Sequence, residues 1–129
     1  MPYTATAQTL ENWPDTLVDA AAFRREQTSL AKMWTFLGHA RDVAKDGDWF
    51  RTTLATRSVF VQRFGDELRG FENRCAHRSY PLRTADKGNG PILCGFHHWR
   101  YDREGRAVAI PQCERLFGGS PQEVGARLR

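Results

Sequence analysis

Apolar and polar positions change rhythm once along this chain. Upstream of Gly38, Phe23, Leu30 and Trp34 recur seven and four residues apart, the spacing of one helical face. Asp19 stands where a cap is needed, so the pattern predicts a helix from Asp19 to about Lys32 or Trp34, with that stripe as core packing. Residues 1–18 carry the breakers Pro2 and Pro14 and read as a loosely ordered lead-in. After Gly38 the segments shorten. Stretches near 34–38, 49–55, 57–64 and 67–73 are rich in Val, Phe, Thr and Trp and predict strands. Gly65-Asp66 predicts a hairpin turn between 57–64 and 67–73. Residues 102–105 predict a second hairpin, between 99–101 and 106–109. The fold class expected is mainly β and antiparallel, preceded by a short N-terminal α-helix.

Composition narrows the class. At 129 residues the chain is one domain's worth, long enough to bury ~65% of the surface its unfolded form exposes. Its 40% hydrophobic and 26% charged residues argue against global disorder. No apolar run approaches the ~20 residues of a membrane span. The opening lacks a basic stretch followed by an apolar block, so no signal peptide is expected and the expected location is cytoplasmic. The net charge of +4 is spread over scattered arginines, with no run of the kind that binds nucleic acid. It reads as a mildly basic surface, or as a landing patch for an acidic protein partner.

The chemistry lies in the cysteines and histidines. An odd count of three cysteines, without a secretory signal, argues against a disulfide framework. Cys75-Ala76-His77 is a C-x-H unit, and Cys94-Gly95-Phe96-His97 is a C-x-x-H unit. Two loops, each offering a thiolate and an imidazole, can converge on one metal centre. One answer is a single tetrahedral zinc in a structural interaction domain. The other is a [2Fe–2S] cluster with both cysteines on one iron and both histidines on the other. One intervening residue is awkward for a pair gripping one small ion. It suits a two-iron centre, where Cys75 and His77 ligate different atoms.

Residues 73–82 and 94–102, which contain these units, resemble the Rieske domain of the aromatic-ring-hydroxylating oxygenase family, at the front of the large (α) subunit. The resemblance extends over about residues 19–118. Upstream, residues 34–39 lie where the family has its first strand. The resemblance implies a Rieske-type β-sandwich with a cluster-binding subdomain over 19–129. It implies that Cys75 and Cys94 hold the inner iron, that His77 and His97 hold the outer iron, and that Arg78 and Trp99 lie beside the cluster. The family often has Gly where this chain has Ser79 and His98. His98 is the alternative ligand, but C-x-x-H spacing favours His97, which leaves His98 beside the cluster or at the surface. His39 is expected to be structural, and Cys113 a small buried or half-buried thiol. Respiratory-type relatives carry a disulfide at the positions of Tyr80 and Phe96 and a serine donor at the position of Trp99. Fewer hydrogen bonds to sulfur imply a lower potential.

The function implied is one-electron transfer. Two ferric irons, two sulfides and two thiolates sum to zero charge with neutral imidazoles, so reduction is easier than for a four-cysteine cluster. The expected donor is a ferredoxin or flavin reductase. The expected acceptor is a mononuclear iron in an oxygenase catalytic domain or a neighbouring subunit. With four histidines in all, two of them given to the cluster, no two-histidine, one-carboxylate iron site is expected here, so the chain alone is not expected to hydroxylate a substrate. No nucleic acid or membrane partner is expected. Residues 121–129 read as the approach to another strand, and the domain reads as incomplete at its C-terminus. A stand-alone Rieske ferredoxin is the alternative.

Overall fold

The computed structural model describes residues 19–30 and 32–129, so the expected lead-in lies outside the described residues. The chain divides into two compact units, Met1–Thr35 and Phe36–Arg129.

The first unit contains α1, Ala20–Leu30. The Asp19 carboxylate starts it by accepting the N–H groups of Ala21 at 3.0 Å and Ala22 at 2.9 Å. The helix stops short of the expected end, and the N–H groups of Lys32 and Met33 turn back onto the carbonyls of Ser29 and Leu30. Trp34 therefore lies beyond the helix, and Phe23, Leu30 and Trp34 are all exposed. The expected core stripe is not buried; Ala22 is the buried residue of this helix. The spacing gave Phe23 and Leu30 a shared face, but spacing says nothing of what covers that face.

Residues 34–38, which fall across the division between the units, do not form the expected strand. Phe36 packs edge-on against His39, at 5.2 Å between centroids. Gly38 lies so close to Phe50 that a Cβ there would sit 2.8 Å from its ring. A 3₁₀ helix follows, Ala40–Val43, with the His39 N–H donating to the Asp42 carboxylate at 2.8 Å.

Four strands then make an antiparallel sheet in the order β3-β2-β1-β4. They are β1 (Asp48–Leu54), β2 (Arg57–Phe64), β3 (Glu67–Glu72) and β4 (Lys87–Asn89). Gly65, at φ 59°, turns β2 into β3 as expected. A second antiparallel sheet orders β5 (Ile92–Leu93), β6 (Arg100–Tyr101) and β7 (Ala107–Ala109) in sequence. Gly105 makes its hairpin turn at φ 76°, and a Cβ there would press on Phe71 and Leu128. Phe60 and Phe71 from the first sheet share one core with Ile92, Tyr101 and Ala107 from the second, joined by Trp99, Ile110 and Leu128. Filling this space with aromatic and branched side chains is the main force holding the unit together.

The C-terminal residues depart from the expected strand approach. Cys113–Phe117 form α2 and Pro121–Val124 form α3. Ser120 caps α3: its hydroxyl accepts the Glu123 N–H, and the Glu123 carboxylate takes the Ser120 N–H at 2.7 Å. The run Ser120-Pro121-Gln122-Glu123 is a capping box with proline at the first helical position, which overrides the apolar spacing of Val124 and Leu128. Residues 126–129 then pair with both sheets. Ala107 and Leu128 donate to the carbonyls of Ala126 and Gly105, and Glu72 donates to the Arg129 carbonyl at 2.8 Å.

Candidate metal centre

The two Cys/His units lie on two loops with one backbone design. In the first, Cys75 N–H donates to the Tyr80 carbonyl at 2.8 Å, and Ser79 N–H donates to the Cys75 carbonyl at 2.9 Å. In the second, Cys94 N–H donates to the Trp99 carbonyl at 2.9 Å, and His98 N–H donates to the Cys94 carbonyl at 3.0 Å. Ser79 at φ 56° and His98 at φ 57° occupy the left-handed position of each loop. The loops thus correspond position by position, Cys75 with Cys94, Ser79 with His98 and Tyr80 with Trp99. The histidines break the correspondence, since His77 is third in its loop and His97 fourth. The shared geometry explains the two departures noted in the sequence, because both fall where glycine fits without strain.

The first loop is fastened at its base. Asn73 Oδ1 accepts the Arg83 N–H at 2.7 Å, and its Nδ2 donates to the Arg83 carbonyl at 2.8 Å, so one side chain imitates a strand pairing. The Arg83 guanidinium is buried over the Trp49 ring, 4.5 Å from its centroid, and donates to Gln62 Oε1 at 2.6 Å and to the Gly90 carbonyl. Burial lowers its pKa to about 10.

The four donors form two layers. The Cys75 and Cys94 sulfurs belong to buried residues, 3% and 1% exposed. The His77 and His97 rings are half-buried, with centroids 4.9 Å apart. His77 Nδ1 is buried and has no hydrogen-bond partner. A buried, unpaired nitrogen is costly unless it ligates something, so it fits a metal-binding atom. Burial, with His97 and Arg78 nearby, holds His77 below the usual histidine range, which keeps its lone pair free at neutral pH. Thiols inside and imidazoles outside fit a centre of two metal atoms.

The aromatic neighbours complete the site. Trp99, 4% exposed, stacks on His77. Phe96 lies against His97 at 3.9 Å, and Tyr80 packs on Phe96. Arg78 and His98 are exposed. The Tyr101 hydroxyl, absent from the sequence reading, sits 3.0 Å from Cys75 Sγ and accepts the Ala76 N–H at 3.1 Å. With that oxygen already accepting from Ala76, its proton is free for the sulfur. Burial raises the Tyr101 pKa, with Cys75 adding to the effect, so the phenol stays a donor. Burial likewise pushes the Cys75 thiol up, and the Tyr101 hydrogen bond opposes that rise.

A mainly antiparallel β protein with two equivalent loops, inner thiols and outer imidazoles, defines the class of histidine-ligated iron–sulfur proteins. The chain belongs to the Rieske [2Fe–2S] domain family, which matches residues 33–120. It is 32% identical over 113 residues to the biphenyl 2,3-dioxygenase α subunit of Rhodococcus jostii (strain RHA1), covering 85% of this chain and 25% of that protein. It is also 32% identical over 103 residues to the large oxygenase component of the naphthalene 1,2-dioxygenase system of Pseudomonas aeruginosa, covering 78% and 23%. Naphthalene 1,2-dioxygenase from Rhodococcus sp. superimposes with a TM-score of 0.77 at 26% identity, over 90% of this chain and 27% of that one. The quaternary ammonium Rieske monooxygenase CntA shares the fold, with a TM-score of 0.77 at 21% identity, over 91% and 33%. The chain spans about a quarter of the length of the curated relatives it matches. Family membership carries with it a Rieske-type [2Fe–2S] cluster and a part in electron transfer. Among the described residues, no helix is long and apolar enough to cross a membrane.

Proposed function

We propose that this chain is the electron-transfer front of a ring-hydroxylating oxygenase α subunit. It takes single electrons from a ferredoxin or flavin reductase. It passes them to a mononuclear iron in a catalytic domain or a neighbouring subunit. In this reading Cys75 and Cys94 hold the inner iron, and His77 and His97 hold the outer iron. When bound, the cluster supplies a store for one electron.

The chain's own residues do the rest. The buried cysteines keep water from the sulfur side. Tyr101 donates to Cys75 Sγ and so favours extra negative charge there. Trp99 fixes the plane of His77 by stacking on it. His77 and His97, half-exposed, lead outward past the exposed rings of Phe96 and Tyr80. An apolar rim on a chain of net charge +4 suits an acidic protein partner.

The observation that carries the reading is the pair of equivalent loops with the unpartnered, buried His77 Nδ1 between Cys75 and Trp99 in sequence. The test is iron, acid-labile sulfide and zinc content on anaerobically purified chain, with a visible spectrum and stopped-flow reduction by a reduced ferredoxin. Two irons and two sulfides in a coloured protein, reduced by ferredoxin and reoxidised by an α subunit lacking its own cluster, is the expected result. Iron without labile sulfide, or zinc in a colourless protein, would sink it.

A further inference from the structure

Helix α2 brings a third ring to the stacked pair His77 and Trp99. The rings of His77 and Trp99 are parallel to within 1°, with centroids 4.8 Å apart. Phe117 stands at 83° to both, with its centroid 6.3 Å from His77 and 5.6 Å from Trp99. A ring resting on the outer face of one stacked partner would lie far from the other. Nearly equal distances place Phe117 beside the stack, across both rings at once.

The last residue of α2 reaches this position because the helix is tightly bounded. Gln112 at φ 56° enters it and Gly118 at φ 75° leaves it, both left-handed. Gly118 N–H closes onto the Glu114 carbonyl at 2.9 Å, and Cys113 is buried in the common core. The backbone therefore turns sharply on either side of five residues whose one end is anchored and whose other end carries Phe117. Phe117 itself is 44% exposed, with one side on the stack and the other in water.

We infer that Phe117 is a positioning residue for the cluster: it closes the open side of the His77–Trp99 stack, fixing the His77 ring and keeping water and oxygen from its edge. The inference rests on the proposed role of His77 as an iron ligand. Trp99 prevents His77 from tilting off its plane. It does not prevent the imidazole from sliding within that plane. A perpendicular ring across the edges of both blocks that slide, because the movement would drive His77 into Phe117. The exposed half of Phe117 also leaves its edge available to a docking partner, so the ring that orders the ligand is one that a partner can touch.

The test compares the parent chain with Phe117→Ala, Phe117→Leu and Phe117→Tyr, all loaded and handled anaerobically. Three readouts are taken: iron and sulfide content, the two histidine nitrogen couplings of the reduced cluster by electron–nuclear double resonance, and the bleaching half-life in air. Expected is a Phe117→Ala chain that still loads two irons and two sulfides but bleaches several-fold faster. One of its two nitrogen couplings shifts while the other stays. Phe117→Tyr restores both readouts. Should Phe117→Ala fail to load, Phe117→Leu, which keeps the bulk and loses the flat ring, is judged by the same two signatures. Unchanged couplings and half-life in a loaded variant would overturn the inference and leave the proposed function standing. A parent chain that holds zinc would overturn both.

Discussion

His77 and Trp99 lie face to face, parallel to within 1° at 4.8 Å, although they belong to different loops. The contact ties the first Cys/His loop to the second without a backbone hydrogen bond. It also sorts the four histidines by environment. His77 is stacked, His97 leans on Phe96, His98 is exposed, and His39 serves a 3₁₀ turn far along the chain. Each placement leads to an expected behaviour.

Replacing His97 by Ala should abolish cluster loading, whereas His98→Gly should leave it intact. His98 holds a left-handed conformation that glycine adopts freely, so His98→Gly should stabilise the fold by about 0.5–1 kcal/mol. Iron content and urea midpoints check both. Swapped outcomes would move the ligand from position 97 to 98.

Tyr101→Phe removes the hydroxyl beside Cys75 Sγ and, with it, the acceptor of the Ala76 N–H. The cluster should still load, with its reduction potential lowered by on the order of tens of millivolts, since a lost donor to sulfur disfavours the added electron. Protein-film voltammetry measures this. A potential that rises or stays fixed would mean the hydroxyl does not donate to the sulfur.

Asn73→Ala should strike the fold and the site together. It strips the Arg83 N–H and carbonyl of their partners in a buried place. Each unsatisfied group costs about 1–3 kcal/mol. Denaturation midpoints should fall, and iron content at sub-denaturing urea should fall with them, because the same side chain fastens the first loop. Loss of stability with normal iron retention would separate the two roles.

Acid should destabilise the chain in a defined direction. Asp48, Glu67, Glu104 and Glu123 are all held below the usual carboxylate range, each first by a hydrogen bond: from Asn89, Arg69, Arg103 and the Ser120 N–H respectively. A depressed folded pKa means the unfolded chain binds the proton first. The stability it contributes is present above about pH 4 and is lost as pH falls through and below that range. Thermal melts should drop as the pH falls through that range. Glu123→Gln should make that drop shallower, and an equal drop would remove Glu123 from the account.

The candidate site was legible because its residues are written locally. Cys75, His77, Cys94 and His97 declare themselves by spacing, and Gly65 and Gly105 mark their turns. Other features were hidden for physical reasons. Ala55 turns β1 into β2 at φ 53° without a glycine or asparagine to announce it. Strands β4 and β5 are only three and two residues long and owe their shape to pairing partners elsewhere. Residues 34–38 have the composition of a strand but lack a partner strand, so propensity alone did not make one. Tyr101, Phe117 and Arg83 act through contacts across 26, 40 and 21 positions, to Cys75, His77 and Gln62 respectively, which no local pattern encodes. The reading of few hydrogen bonds to sulfur, made from Trp99, is amended by Tyr101, which supplies one from two residues further on.

Glu72 donates to the Arg129 carbonyl, and Leu128 to that of Gly105. These pairings have high contact order, since their loops must close before the bonds form. A ribosome releases residues 75–98 well before residues 126–129. The nascent chain therefore shows both thiols before its two sheets can be stitched together. Closing the two sheets onto each other is thus a late folding step, and its timing is written into residues 126–129.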